Sequence, residues 1–249
     1  MPLYIYLKDT DSPKKKAVSR LSYVLLISGS LFLFWSFYPI ISFEIYSRLF
    51  IQNRINTPVP KSDIVSSLEK ANSVLGSYNV YSSNLRDFTQ ASLWFPDKPQ
   101  SSSAKSLKAS QYTLSIPKLN IKDALVTVGG ENLSSSLIHY LPQSLPGEYG
   151  NVAIFGHSTL PQLYNPKDYK TIFTNLPALE KNDKVLVRLN EVAYEYEVYD
   201  MFVINPDQVS VLEQRSDAAY LTLITCVPPG TFWKRLVVRA KLVKLPDSL

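Results

Sequence analysis

The chain reads as a mainly β protein, a closed or nearly closed barrel with short helical pieces, carried behind an N-terminal membrane helix and a helical stalk. Two observations carry this. From Tyr112 onward, short β-branched and aromatic runs alternate with Pro, Gly and Asn punctuation, the pattern of many strands in one small all-β domain. From Leu21 to Phe43 no residue is charged, and about 20 such residues are enough to cross a bilayer.

The elements follow in chain order. Residues 1–20 hold Lys8, Lys14, Lys15, Lys16 and Arg20 and form a basic N-terminal segment; residues 21–43 form the span, with Pro39 near its end. Arg48 and Arg54 are the nearby cations behind it, so the charge bias predicts a cytoplasmic N-terminus and everything after the span outside, a single-pass signal anchor. Residues 44–111 are read as stalk and linker. Ile45, Leu49, Phe50 and Ile51 continue the helical spacing to about Ile55, and Asn56-Thr57-Pro58-Val59-Pro60 breaks it. A second helix is predicted from Asp63 to Leu75, with Ile64, Val65, Leu68, Ala71 and Leu75 on one face and Gly76 as its stop. Pro99 to Ser106 is small and polar, a tether.

Residues 112–249 form the β domain. Strands are predicted at Tyr112–Ile121, Ala124–Val128, Asn151–His157, Lys184–Leu189, Ala193–Ile204, Tyr220–Cys226 and Leu236–Leu245. The alternation in Tyr194-Glu195-Tyr196-Glu197-Val198 is that of a half-buried strand, which makes its glutamates a solvated face.

Composition narrows the function. A chain of 249 residues with 45% hydrophobic content can bury a real core, and the net charge of +5 is scattered apart from Lys14–Lys16, so no basic stripe for nucleic acid is present. The single cysteine excludes an internal disulfide, and no paired Cys or His spacing offers a zinc site.

That cysteine, Cys226, ends the apolar run Tyr220-Leu221-Thr222-Leu223-Ile224-Thr225 and is followed by Val227-Pro228-Pro229-Gly230, which cannot continue a strand. The next strand opens at Arg235. Strand, turn and strand therefore bring a thiol near a guanidinium, an arrangement suited to acyl transfer through a thioester. Arg239 lies four residues on and faces the same way, so spacing alone leaves the two arginines open.

Thr222-Leu223-Ile224-Thr225-Cys226 matches the TLxTC signature of the sortase family, Arg235 stands where that family has an arginine on the following strand, and Gly156-His157 closes a strand as its histidine segment does. The chain resembles a sortase from roughly Tyr112 to Leu245. The Cys226-Val227-Pro228-Pro229-Gly230 turn and His139 ahead of Pro146-Gly147 are more similar to class C, D or E members than to the housekeeping class A type.

The resemblance implies an eight-stranded barrel with its site at strand ends. It implies Cys226 as nucleophile, His157 as acid and base, and Arg235 as the cation that holds the substrate and the developing oxyanion. His139 would be a rim residue of the groove, and Thr225 would line that groove. Asn205 to Ala218, with Val209, Val211 and Leu212, would be the loop that shapes recognition. The implied activity is a cofactor-free, metal-free transpeptidation that cleaves an LPxTG-like signal on secreted proteins and passes the acyl group to a cell-wall or pilin amine. A cysteine peptidase using water as acceptor is the alternative within acyl transfer, and a non-catalytic binding module on the same barrel is the alternative outside it.

Overall fold

The computed structural model describes residues 13–51, 89–95 and 110–244 in two units, the first ending at Ser42 and the second beginning at Phe43. The predicted helix at 63–75 and the tether at 99–106 lie outside the described residues.

Among the described residues there is one α-helix, α1 (Pro13–Tyr46), which runs through the predicted span and ends in a wider turn, Ser47–Ile51. Most of its apolar side chains are bare among the described residues: Phe32 is 76% exposed and Trp35 73%. By length and composition this helix is long and apolar enough to cross a membrane.

The second unit is a closed barrel of eight strands: β1 (Gln111–Ile116), β2 (Ile121–Val128), β3 (Leu137–Tyr140), β4 (Gly150–Phe155), β5 (Lys184–Leu189), β6 (Val192–Ile204), β7 (Ala219–Val227) and β8 (Lys234–Lys244). Around the barrel they run β1-β2-β3-β4-β7-β8-β6-β5, with β5 closing on β1. Closure leaves no unpaired edge. The pairs β2–β3 and β4–β7 are parallel and the others antiparallel.

Two strand expectations are corrected. The run predicted as one strand from Tyr112 to Ile121 breaks after Ile116. Pro117, which has no N–H to give a ladder, opens a 3-10 turn at Pro117–Leu119, and Asn120 turns the chain back in the left-handed region at φ 55°. β3 was not predicted at all; four residues are too few to show a period.

Alternation sorts the side chains into two clusters. Leu114, Ile116, Val126, Leu137, Ile154, Val187, Tyr196, Leu221, Leu223, Leu236 and Val238 fill the barrel. Residues of the opposite parity, among them Phe155, Ile224, Cys226 and Val237, point outward and are covered by Trp94, Phe95, Val211 and Leu212. The 3-10 turn Ala91–Trp94, in a stretch expected to be stalk, thus packs on the barrel's outer wall. Sandwiched between these layers, β4 and β7 are buried along their whole length.

Candidate active site

β7 and β8 pair in a register that sets Cys226 directly opposite Arg235. Residues opposite one another in an antiparallel pair share a face, so thiol and guanidinium both lie on the outer wall. Each is only 2% exposed.

The histidine arrives from β4. Its backbone leaves the ladder at Gly156, whose N–H donates to the Ile224 carbonyl. A Cβ at Gly156 would lie 2.5 Å from Phe173 and 2.7 Å from Leu137, so only glycine fits this exit. Two hydroxyls clasp the exit to β7: Thr225 Oγ1 donates to the Gly156 carbonyl at 2.7 Å, and Ser158 Oγ donates to the Cys226 carbonyl at 2.6 Å. Between those two bonds sits His157, its backbone carbonyl accepting from Phe173 N–H and its buried Nε2 without a partner among the described residues.

Trp94 closes the site. Its ring stacks on Phe155 at 5.3 Å, lies 5.8 Å from the His157 ring, and has the Arg235 guanidinium over it at 5.5 Å. Arg235 donates through one terminal nitrogen to the Trp94 carbonyl at 3.1 Å and through the other to the carbonyls of Phe232 and Lys234.

Burial disfavours the charged form of both the thiol and the imidazole. Burial pushes the Cys226 thiol up, with Arg235 pulling the other way. Burial lowers His157 to about 4, helped by Lys170 and opposed by Asp168.

Of the residues singled out in the sequence, Cys226, His157, Arg235 and Val211 come together on the outer wall, with Val209 packed half-buried against the same cluster. His139 and Thr225 do not. Both have inward parity: Thr225 shares its face with Leu221 and Leu223, and its hydroxyl is spent on Gly156. His139 is fully buried beside Tyr112 at 5.9 Å, with neither ring nitrogen partnered among the described residues and its pKa lowered by burial to about 4. It is inside the barrel, not on a groove rim. Trp94 and Ser158 were missed. The aromatic pair Trp94-Phe95, set before a polar tether, is the only sequence signal for the first, and nothing local marks the second.

The fold and site define a class: closed eight-stranded barrels that carry a thiol, an imidazole and a guanidinium at the ends of adjacent strands. The family model for the sortase domain matches residues 114–243, and the chain belongs to the sortase family. Among curated relatives, Sortase D of Bacillus subtilis (strain 168) is 25% identical over 150 residues, covering 59% of this chain and 67% of that protein. Sortase A of Bacillus anthracis is 31% identical over 131 residues, covering 52% of this chain and 58% of that protein. Among solved structures, Sortase A from Corynebacterium diphtheriae superposes with a TM-score of 0.50 at 22% identity, over 76% of this chain and 99% of that one, a likeness of fold. The family and fold place the chain among transpeptidases in general.

Proposed function

We propose that the protein is a membrane-anchored cysteine transpeptidase that cleaves an LPxTG-like sorting signal of a secreted protein and transfers the acyl group to an amine of a cell-wall peptide or pilin. The observation that carries this reading is the register pairing of Cys226 with Arg235, with the His157 segment tied to the Cys226 carbonyl by Ser158.

In the proposed reaction the Cys226 thiolate attacks the scissile carbonyl carbon. The oxygen that becomes negative is met by Arg235, a fixed cation whose benefit grows as the charge develops. His157, carrying the thiol's proton, gives it to the departing amine, and a thioester remains on Cys226. An incoming amine then yields a proton to His157, attacks the thioester, and restores the thiol. No bond order or charge is left unbalanced, and no other reactant is required.

Substrate access requires Ala91–Phe95 to move, because the thiol, the guanidinium and the imidazole are all buried beneath that turn. Trp94 offers its peptide carbonyl to the same guanidinium nitrogen that would serve a substrate carbonyl. The closed form is thus a resting state, neutral and shielded from solvent. The basic residues Lys14, Lys15, Lys16 and Arg20 at the start of α1, against Arg48 and Arg54 behind the apolar span, support a cytoplasmic N-terminus and an extracellular barrel.

The test is mass spectrometry of the full chain in detergent with a pool of LPxTG-like peptides, with and without oligoglycine or lysine-bearing amines. Ligated product that needs the amine and disappears in Cys226→Ala is the expected result. Cleavage with water alone, unchanged by any amine, would make the protein a peptidase, and turnover that survives Cys226→Ala would overturn the site.

A further inference from the structure

The residues that follow the apolar span are not a free stalk. Phe43, Ser47 and Ile51, spaced four apart along one helical stripe, are buried, and Phe43 and Ile51 belong to the cluster that fills the barrel. The turn Ser47–Ile51 packs on β6, whose Met201 and Val203 lie against the same cluster only half-buried. Val203 pairs with Leu236, two residues after Lys234, and Lys234 pairs with Val227, the last residue of β7. Phe43–Ile51 is therefore fastened to the barrel at its Cys226 end. An ion pair marks the place: Lys234 Nζ lies 3.7 Å from Glu44 Oε1, and Arg48 Nε meets the same oxygen at 2.9 Å.

The other face of this segment is bare among the described residues. Ile45 and Leu49, half a helical turn from the buried stripe, are 55% and 71% exposed. Phe50 is 69% exposed, with its ring 5.1 Å from that of Tyr46. Trp233, the residue before Lys234, is 63% exposed. Four large bare apolar side chains around one ion pair mark an interaction surface.

The chain itself supplies the occupant. Glu44 is the first charged residue after the uncharged run 21–43, so the turn behind it starts at the surface of the bilayer that this run crosses. Phe43, the last residue of the run, already belongs to the barrel cluster, which leaves no spacer between span and barrel. Tryptophan is favoured at the level of the headgroups, and Arg48 and Lys234 against the single Glu44 leave an excess of positive charge for anionic lipid.

We infer that Ile45, Leu49, Phe50 and Trp233 form a rim that dips into the headgroup layer of the membrane crossed by α1 and lays the Cys226 end of the barrel on it. Cys226 faces Arg235, the residue after Lys234, so the reacting groups stand one ladder step from the rim. The inference rests on the reading of α1 as a membrane anchor and is independent of the transpeptidase chemistry.

The test measures depth in the full chain, reconstituted in vesicles of phosphatidylcholine and phosphatidylglycerol. In a Cys226→Ser background, which rids the chain of its own thiol, a nitroxide is attached in turn at Phe32→Cys, Trp233→Cys and Tyr149→Cys. Tyr149 is the reference in water: it is 73% exposed and precedes β4, whose Gly150 pairs with Ala219 at the far end of β7 from Cys226. Collisions with oxygen, which enters lipid, are compared with collisions with a nickel chelate, which does not. The label at 233 is expected at about 5 to 10 Å into the headgroup boundary, its oxygen-to-nickel ratio several-fold above that at 149, with the label at 32 deeper still. A label at 233 as open to nickel as the one at 149, with 32 in hydrocarbon, overturns the rim and leaves the anchor standing. A label at 32 open to nickel removes the anchor and the rim together. A label at 233 shielded from both reagents means that protein covers it, a second copy if the signal is dipolar-broadened, and overturns the lipid assignment. The native ring is read separately in Trp35→Phe, where Trp94 and Trp233 are the remaining tryptophans. Headgroup-brominated lipid is expected to dim its fluorescence, and to lose that effect when Trp233→Phe is added; equal dimming with and without Trp233 overturns the rim.

Discussion

Truncating Trp94 to alanine tests whether the turn that carries it controls access to the thiol. The side chain is fully buried. Its burial is worth about 2 to 3 kcal/mol, and the stack on Phe155 adds about 0.5 to 1.5 kcal/mol. Phe95 still anchors the turn, and the bond from Arg235 goes to the Trp94 backbone, so both survive the change. A net loss of about 3 kcal/mol of closure raises the open population by on the order of 100-fold. Because Cys226 is the only cysteine, its alkylation by iodoacetamide reports that population at a single mass increment. The full-length Trp94→Ala protein is expected to be alkylated on the order of 100-fold faster than wild type, with an unchanged far-ultraviolet spectrum. Leu93→Ala, a change at a 45% exposed side chain on the same turn, serves as control and should stay near the wild-type rate. A folded Trp94→Ala protein alkylated at the wild-type rate would refute the argument, as would an equal acceleration in Leu93→Ala.

Three further outcomes follow from the buried groups. His139 and His157 are both held near 4, below the unfolded value of about 6.5, so the unfolded chain binds protons first as the pH falls. Stability is therefore full above about pH 6.5 and drains away toward pH 4, by about 2 kcal/mol per histidine at pH 5; urea midpoints across that range should show it, and His139→Leu should remove close to half the slope. A His139→Leu profile that overlays wild type would sink the assignment of that slope. Gly156→Ala forces a methyl against Phe173 and Leu137 and should destabilise by about 1 to 3 kcal/mol, read as a lower thermal midpoint; an unchanged midpoint would mean the exit has slack. Ser158→Ala removes the clasp on the Cys226 carbonyl, and is expected to cost about 1 kcal/mol of stability while lowering the acylation rate more than that loss explains; full acylation in Ser158→Ala would show that Thr225 suffices to place His157.

Much of the barrel was legible because its strands have strong local signals. Lys184–Leu189 alternates cleanly, and the Pro-Pro-Gly after Val227 marks where β7 stops, which put Cys226 and Arg235 at adjoining ends before any geometry was known. The facing of residues within β7 and β3 was not legible. A strand buried on both sides has no polar and apolar alternation to reveal its parity, so Thr225 next to Cys226 and His139 ahead of Leu141-Pro142 gave no sign of pointing inward. The cover was hidden for another reason. Trp94 meets Arg235 across 141 positions of chain, and no local pattern encodes a contact that distant.

Those separations bear on how the protein comes into being. Thr225 reaches back 69 residues to Gly156, Ser158 reaches ahead 68 to Cys226, and the partner strand that brings Arg235 is the last of the eight. A chain made from its N-terminal end therefore offers β4 and His157 long before it offers Cys226 or Arg235. Pairings this remote form slowly, since loop closure precedes their reward. Until β8 zips onto β7, the lone sulfur stands on an unfinished wall with no guanidinium opposite it.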